Sequence, residues 1–411
     1  MSVARFPESF SGEPSLWGNR GKVMHVRRTR LRVWAPVLLA AAGLVLTGPV
    51  PSAQALSQSV DPGYQTNGQV NAIVTVRNTV YIAGDFTSVR PAGAAPGEPG
   101  VARSNLAAFN VETGALRKWN PGTDGVVNAL ALSPNGRTVY VGGNFDTLSG
   151  VTRHNLGAVS AAKTGAATRY RATTNRQVLA IAATKKRVYV GGDFTSIRNK
   201  KHKRIAATKL SGRAIKGWKP AADSTVRTIA LAGKRVYIGG GFTSINKRQQ
   251  PHLAALSATT GKIQSWQRHP SYIVWDIVVH KKAVYVGGNG TGGHVDAFKP
   301  NGHRRWRTQT DGGVQSLAYY QGKVIVGGHF DNFCRGVSNG PVVGFTCPTI
   351  QASRPRLLAL GHKRGNLNRW NPAPDQNPGV FALTPSKSAL YVGGKFGRIA
   401  KKAQANFAVF H

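Results

Sequence analysis

Seven oxygen-bearing side chains recur at one position of a period of about fifty residues: Asn67, Asp124, Asn175, Asp223, Ser271, Asp311 and Asp375. Each comes just before an apolar run that reads as a strand. Four carboxylates and three neutral oxygen donors in a ring could hold a hard cation, with Ca²⁺ the candidate. The same residue types also make Asx turns, in which each side chain accepts a local backbone N–H. Repetition favours the turn, because a working site uses a few repeats and leaves the others free to vary. A second recurrent position holds Asp85, Asn144, Asp193, Gly241, Asn289, His329 and Lys395. Its variation from acid to base argues against one shared ligand. His329 and His294 could meet as metal ligands from adjacent repeats, but two histidines are too few to specify a metal site.

Two catalytic-looking motifs lack their context. Gly336-Val-Ser338-Asn-Gly340 matches a nucleophile elbow, yet it sits in an insertion with no strand-to-helix turn around it. Gly288-Asn-Gly290-Thr-Gly-Gly293 matches a dinucleotide fingerprint, but no helix follows to carry a pyrophosphate. No catalytic residue is identifiable on this basis.

The elements that position these residues are legible from seven apolar runs ending in a glycine pair or Ala-Gly, at residues 80–86, 139–145, 188–194, 236–242, 284–290, 324–330 and 390–396. Self-similarity at this period is the signature of radially repeated sheets. The expected fold is all-β: a seven-bladed β-propeller with four antiparallel strands per blade. In the second repeat Val127-Asn-Ala-Leu-Ala-Leu132 alternates as a strand, Asn135-Gly136 is hairpin chemistry and Val139-Tyr-Val141 is the next strand. The pair Gly142-Gly143 is expected to turn the backbone where a side chain would collide, since glycine tolerates positive φ. Trp119, Tyr170, Trp218, Trp266, Trp306 and Trp370 mark the fourth strands and suit burial between blades. The chain ends on a third strand, so the segment around Asp61–Tyr64 is expected to supply the missing fourth strand and close the ring.

Residues 1–55 read as leader and signal peptide. Met24 is the expected start, followed by a basic stretch, an apolar run over 33–46 and an Ala53-Gln-Ala55 cleavage site. No other apolar stretch is long enough to cross a membrane as a helix. Residues 56–411 then form one propeller, with an insertion at about 331–353 that holds both cysteines, Cys334 and Cys347. In an exported chain these pair as a disulfide. The protein is expected to be secreted or wall-associated, and monomeric.

Charge is the second signal. The chain carries 55 Lys and Arg against 15 Asp and Glu, and removing residues 1–55 leaves 48 against 13. Such an imbalance bears on partners. Basic residues occupy every turn between first and second strands: Arg77, Arg137, Lys185, Lys186, Arg187, Lys234, Arg235, Lys281, Lys282, Lys323 and Lys387. Turns between third and fourth strands add Lys163, Arg213, Lys262, His303, Lys363 and Arg364 on the same face. Loops at the opposite rim carry Lys200, Lys201, Lys203, Arg204, Lys247, Arg248, Lys401 and Lys402.

The block Asn128-Ala-Leu-Ala-Leu-Ser-Pro-Asn-Gly-Arg-Thr-Val-Tyr-Val-Gly-Gly-Asn-Phe145 resembles the delta-60-type propeller repeats of secreted bacterial proteins, a family with no established common activity. This resemblance spans residues 60–411 and concerns fold. Segments such as Ala108-Phe-Asn-Val-Glu-Thr-Gly-Ala-Leu-Arg-Lys-Trp119 are also similar to the tryptophan-docking motif of quinoprotein dehydrogenases. Those enzymes usually have eight blades and often a vicinal cysteine pair, which this chain lacks. The expected function is a non-catalytic binding or scaffold propeller that docks on an anionic polymer: wall polymer, acidic polysaccharide or nucleic acid. The alternative is an extracellular enzyme, a quinone- or metal-dependent oxidoreductase or a sugar-acting lyase or hydrolase, using the Asx-lined channel mouth. An adhesion module with an exposed apolar patch is a third reading.

Overall fold

The computed structural model describes residues 56–95, 97–266, 269–336, 347–375 and 378–411. The expected leader, the signal peptide and Ser338 lie outside the described residues. Among the described residues, seven larger antiparallel sheets follow one another along the chain, each built on three strands paired in sequence order, with smaller hairpin sheets beside them. Their first strands are Gln69–Val76, Val126–Leu132, Val178–Ala183, Val226–Ala232, Ile273–His280, Val314–Tyr320 and Gly379–Pro385. These lie side by side in chain order, and Gly379–Pro385 lies beside Gln69–Val76.

The glycine pairs explain how the sheets approach one another, though by a different cause from the one expected. None of them has a positive φ. They are needed because nothing larger fits. A Cβ on Gly142 would lie 2.5 Å from Val178 Cγ1 of the next sheet, and one on Gly393 would lie 2.6 Å from Val70 Cγ1 of the first. Each second glycine backs onto its own innermost strand; a Cβ on Gly143 would sit 2.1 Å from the Val126 oxygen. The valines they admit are fully buried, each stabilising by roughly 1.5–3 kcal/mol.

The fourth strand also differs from expectation. Only the fifth sheet has a regular one among the described residues, Arg304–Thr310. Elsewhere the outer segment makes a single bridge, such as Phe109 with Leu116 or Leu256 with Ile263. The aromatic of these outer segments, like Trp306 on the fifth sheet's fourth strand, docks on the next sheet. Trp119 donates to the Ser160 carbonyl at 2.8 Å, Trp218 to Ser257 at 2.9 Å, Trp306 to His362 at 3.1 Å and Trp370 to Ser57 at 2.7 Å. In the fifth sheet Gly292, at φ +71°, allows a tight link from Ala283–Gly290 to Gly292–Phe298. The third strand is therefore longer and pairs along its length with the fourth. There Asp296 is fully buried, paired with Arg307 at 2.7 and 2.8 Å and accepting from Tyr272 Oη at 2.8 Å.

The N-terminal segment meets the seventh sheet. Asp61 bridges Val409, and the Asn406 side chain donates to the Thr66 carbonyl at 2.8 Å. The bond from Trp370 to Ser57 places this segment where the next sheet stands in the other repeats. Its pairing is one bridge, less than the strand expected. Cys334 and Cys347 form a disulfide with Cα atoms 5.2 Å apart, closing a loop whose middle lies outside the described residues.

Candidate functional site

Three places could bind something: the mouth lined by the recurrent Asx residues, the basic end, and the channel between them. At the mouth, all six Asx residues do one job. The Oδ1 atoms of Asn67, Asp124, Asn175, Asp223, Asp311 and Asp375 each accept two consecutive backbone amides from the loop after the second strand of their own sheet, at 2.9–3.0 Å. The bonds span 20–23 residues, so these are long-range clamps, where a local Asx turn would span two or three. Ser271 has no such loop to hold, because the tight glycine hairpin replaces it. Partial burial opposes the charge on Asp223, but the Thr243 hydroxyl and the Ser244 and Thr243 amides outweigh it, and its pKa falls to about 2. Among the described residues no group of three or more His, Cys, Asp or Glu is arranged to hold a metal ion. His294 stacks on Tyr272 at 4.9 Å, and burial together with the Arg307 charge lowers its pKa to about 4. His329 Nε2 accepts the Gly313 amide at 3.2 Å.

The clamped loops end in short hairpins. Arg198-Asn199, Asn246-Lys247 and Ala400-Lys401 all have positive φ at both positions, the geometry of a type I′ turn. These turns display Lys200, Lys201, Lys247, Arg248, Lys401 and Lys402 as exposed side chains.

Because the innermost strands run the same way round, the turns between first and second strands share the other end. Arg77, Arg137, Lys185, Lys186, Lys234, Lys281, Lys282 and Lys387 are exposed there. Arg187 and Arg235 are partly consumed by the fold. Arg187 donates to the Ala258 and Thr259 carbonyls at 2.7 and 2.9 Å, and Arg235 to the Pro300 carbonyl at 2.9 Å, each on the next sheet. Lys323 donates to the Gln321 carbonyl of its own turn at 3.5 Å. Between the fifth and sixth sheets this end opens into a hollow of about 460 Å³, where Lys281, Lys282, Lys299 and Arg305 surround His280, Tyr319 and His362. The His280 and Tyr319 rings stack at 3.6 Å. Partial burial lowers the His280 pKa, and Lys281 and His362 add to the effect.

The channel carries residues the sequence reading did not single out. Every innermost strand has a register shift after its first valine, or after Val127 in the second sheet. The bulged residues are Asn71, Asn128, Leu179, Arg227, Trp275, Gln315 and Phe381, and all line one cavity of about 410 Å³. A bulge re-aims a side chain out of the ladder. The available signal was a frame of Val, a varying residue, a small or short polar residue and Ile or Leu, in which only the second position changes freely.

No protein-family model and no curated protein matches the chain. Many solved structures are similar to it, among them two that span most of its length. The WD40 β-propeller domain of Doa1 superposes with a TM-score of 0.55 at 10% identity, covering 85% of this chain and 97% of that one. The computationally designed Ika8 protein gives 0.50 at 13% identity, covering 87% and 100%. Identities this low speak to fold alone, and the fold is a β-propeller.

Proposed function

We propose that the chain is a secreted, non-catalytic binding or scaffold propeller whose seven sheets are the blades of one closed ring. Its basic end docks on an anionic cell-envelope or extracellular polymer. The closure rests on the recurring contact of a glycine with a valine of the next sheet, which is repeated between Gly393 and Val70. The docking reading rests on one observation: every sheet contributes a basic residue to the same end, most of them exposed. Self-repulsion among so many like charges opposes the compact state, and a bound polyanion relieves it. The hollow around Tyr319 adds aromatic surface beside four cations, a combination that suits a polymer with charged groups on flat or ring-shaped units. The clamps leave the mouth carboxylates committed to backbone amides, which favours a structural role over catalysis there.

Charge reversal tests this reading. Replacing Lys185, Lys186, Lys281 and Lys282 together by Glu should greatly weaken low-salt cosedimentation with an acidic polysaccharide. Replacing Lys200 and Lys201 by Glu at the opposite rim should leave most of it. Equal losses in the two variants would reject a docking face and leave only net charge.

A further inference from the structure

The bulge position varies while the positions flanking it on the same strand repeat. The valine before it packs against a glycine of the preceding sheet or, for Val127, lies in the matching cluster with Ala83. The Ile or Leu two residues after it also recurs. Between them stand six residue types in seven repeats: Asn, Asn, Leu, Arg, Trp, Gln and Phe. A residue kept only for packing would repeat as its neighbours do. The cavity they share, at about 410 Å³, lies in the range of small-molecule sites.

Its chemistry is asymmetric. The Arg227 guanidinium lies 4.2 Å from the centroid of the Trp275 ring. It forms no ion pair and no hydrogen bond with any described residue, and its Nε is buried without a partner. Burial disfavours its charge and the nearby Asp193 charge favours it, but neither neighbouring carboxylate bonds it. Asp276 Oδ2 accepts the Leu317 amide at 2.8 Å, while Oδ1 accepts the Ile277 amide at 2.8 Å and the Thr228 hydroxyl at 3.2 Å. Asp193 accepts from Gln177 and Thr225, each at 2.5 Å. Gln315 Oε1 is likewise buried without a partner. Leu179 and Phe381 supply apolar wall. A guanidinium stacked on an aromatic ring, with its donors uncommitted and apolar wall nearby, is arranged to pair with an anion carrying a flat apolar body.

We infer that the central channel binds a small organic anion, an aromatic or unsaturated carboxylate being the class that fits. The carboxylate pairs with Arg227 and the flat body lies against Trp275, Leu179 and Phe381. This site is independent of the basic end and does not rest on polymer docking.

The experiment is calorimetric titration of the full chain with 2-naphthoate, and with 2-naphthamide as the neutral control, at salt high enough to screen the exposed lysines. The expected result is saturable binding of the carboxylate, at least about tenfold tighter than the amide, as losing one charge-assisted pair would give. Arg227→Gln should weaken it by a similar factor. Leu179→Trp, which fills the channel from the neighbouring innermost strand and keeps the arginine, should block it, so a poorly folding Arg227 variant does not leave the question open. Equal affinity for acid and amide, binding unchanged in Leu179→Trp, or no binding at millimolar concentration would overturn the inference.

Discussion

Replacing Asp124 separates a structural clamp from a cation ligand. Its Oδ1 accepts the Asp146 and Thr147 amides, both at 2.9 Å. Asp124→Ala removes two charge-assisted bonds and leaves two amides to water. Such bonds contribute about 1.5–3 kcal/mol each when shielded, and much less in an exposed site, so the pair is worth about 1–2 kcal/mol here. Asp124→Asn keeps the accepting oxygen, and Asn67 and Asn175 hold their own loops with the same geometry. Its cost should therefore stay within about 0.5 kcal/mol. Urea unfolding midpoints of both variants give the energies, and proteolysis of the loop around Thr147 gives the local effect. Added Ca²⁺ should leave all midpoints where they were. If Asn costs as much as Ala, or if Ca²⁺ stabilises the parent and not the Asn variant, the mouth residues are a cation site and the clamp reasoning fails.

Other expectations follow from the same geometry. Trp370→Phe removes the indole N–H that binds the Ser57 carbonyl at 2.7 Å, and should cost about 1–2 kcal/mol and expose the N-terminal segment to protease. An unchanged midpoint would mean that this segment does not hold the last sheet. Burial raises the Asp276 pKa to about 6, against about 3.9 in an unfolded chain. Its charged form is thus disfavoured in the fold: the penalty is absent below pH ~3.9, grows as pH rises and is complete above pH ~6, at up to about 3 kcal/mol. Asp276→Asn should flatten the pH dependence of urea midpoints across that window, and an identical profile in parent and variant would count against it. Arg187→Ala should lower stability by about 1–2 kcal/mol, because its carbonyl partners lie on the next sheet, whereas Lys185→Ala should stay within about 0.5 kcal/mol. Equal effects would show that the Arg187 contacts carry no net energy.

What the sequence discloses most clearly is what repeats because packing repeats. The glycine pairs and the outer aromatics mark the sheets and the contacts between them. Their cause is less visible: the pairs read as turn residues, yet they serve close approach, because only coordinates reveal that Val178 stands opposite Gly142. The Asx positions were visible, but their partners were backbone amides twenty residues on, and an amide has no signature in a sequence. The regular fourth strands expected from the sequence are mostly single bridges, because an aromatic at a fixed spacing looks the same whether its segment pairs along its length or at one bridge. The channel residues were overlooked for the opposite reason. Arg227, Trp275 and Gln315 occupy a position whose residue changes from repeat to repeat, so no shared type marks it.

The measurement that bears most directly on polymer docking is retention of the protein on immobilised wall polymer, acidic polysaccharide and DNA across a salt gradient, beside the Lys185, Lys186, Lys281 and Lys282 charge-reversal variant. Strong retention at low salt that falls steeply as salt rises is expected, with a shallower dependence in the variant because fewer charges are neutralised. Absence of retention on all three, or retention that neither salt nor the variant alters, would contradict it.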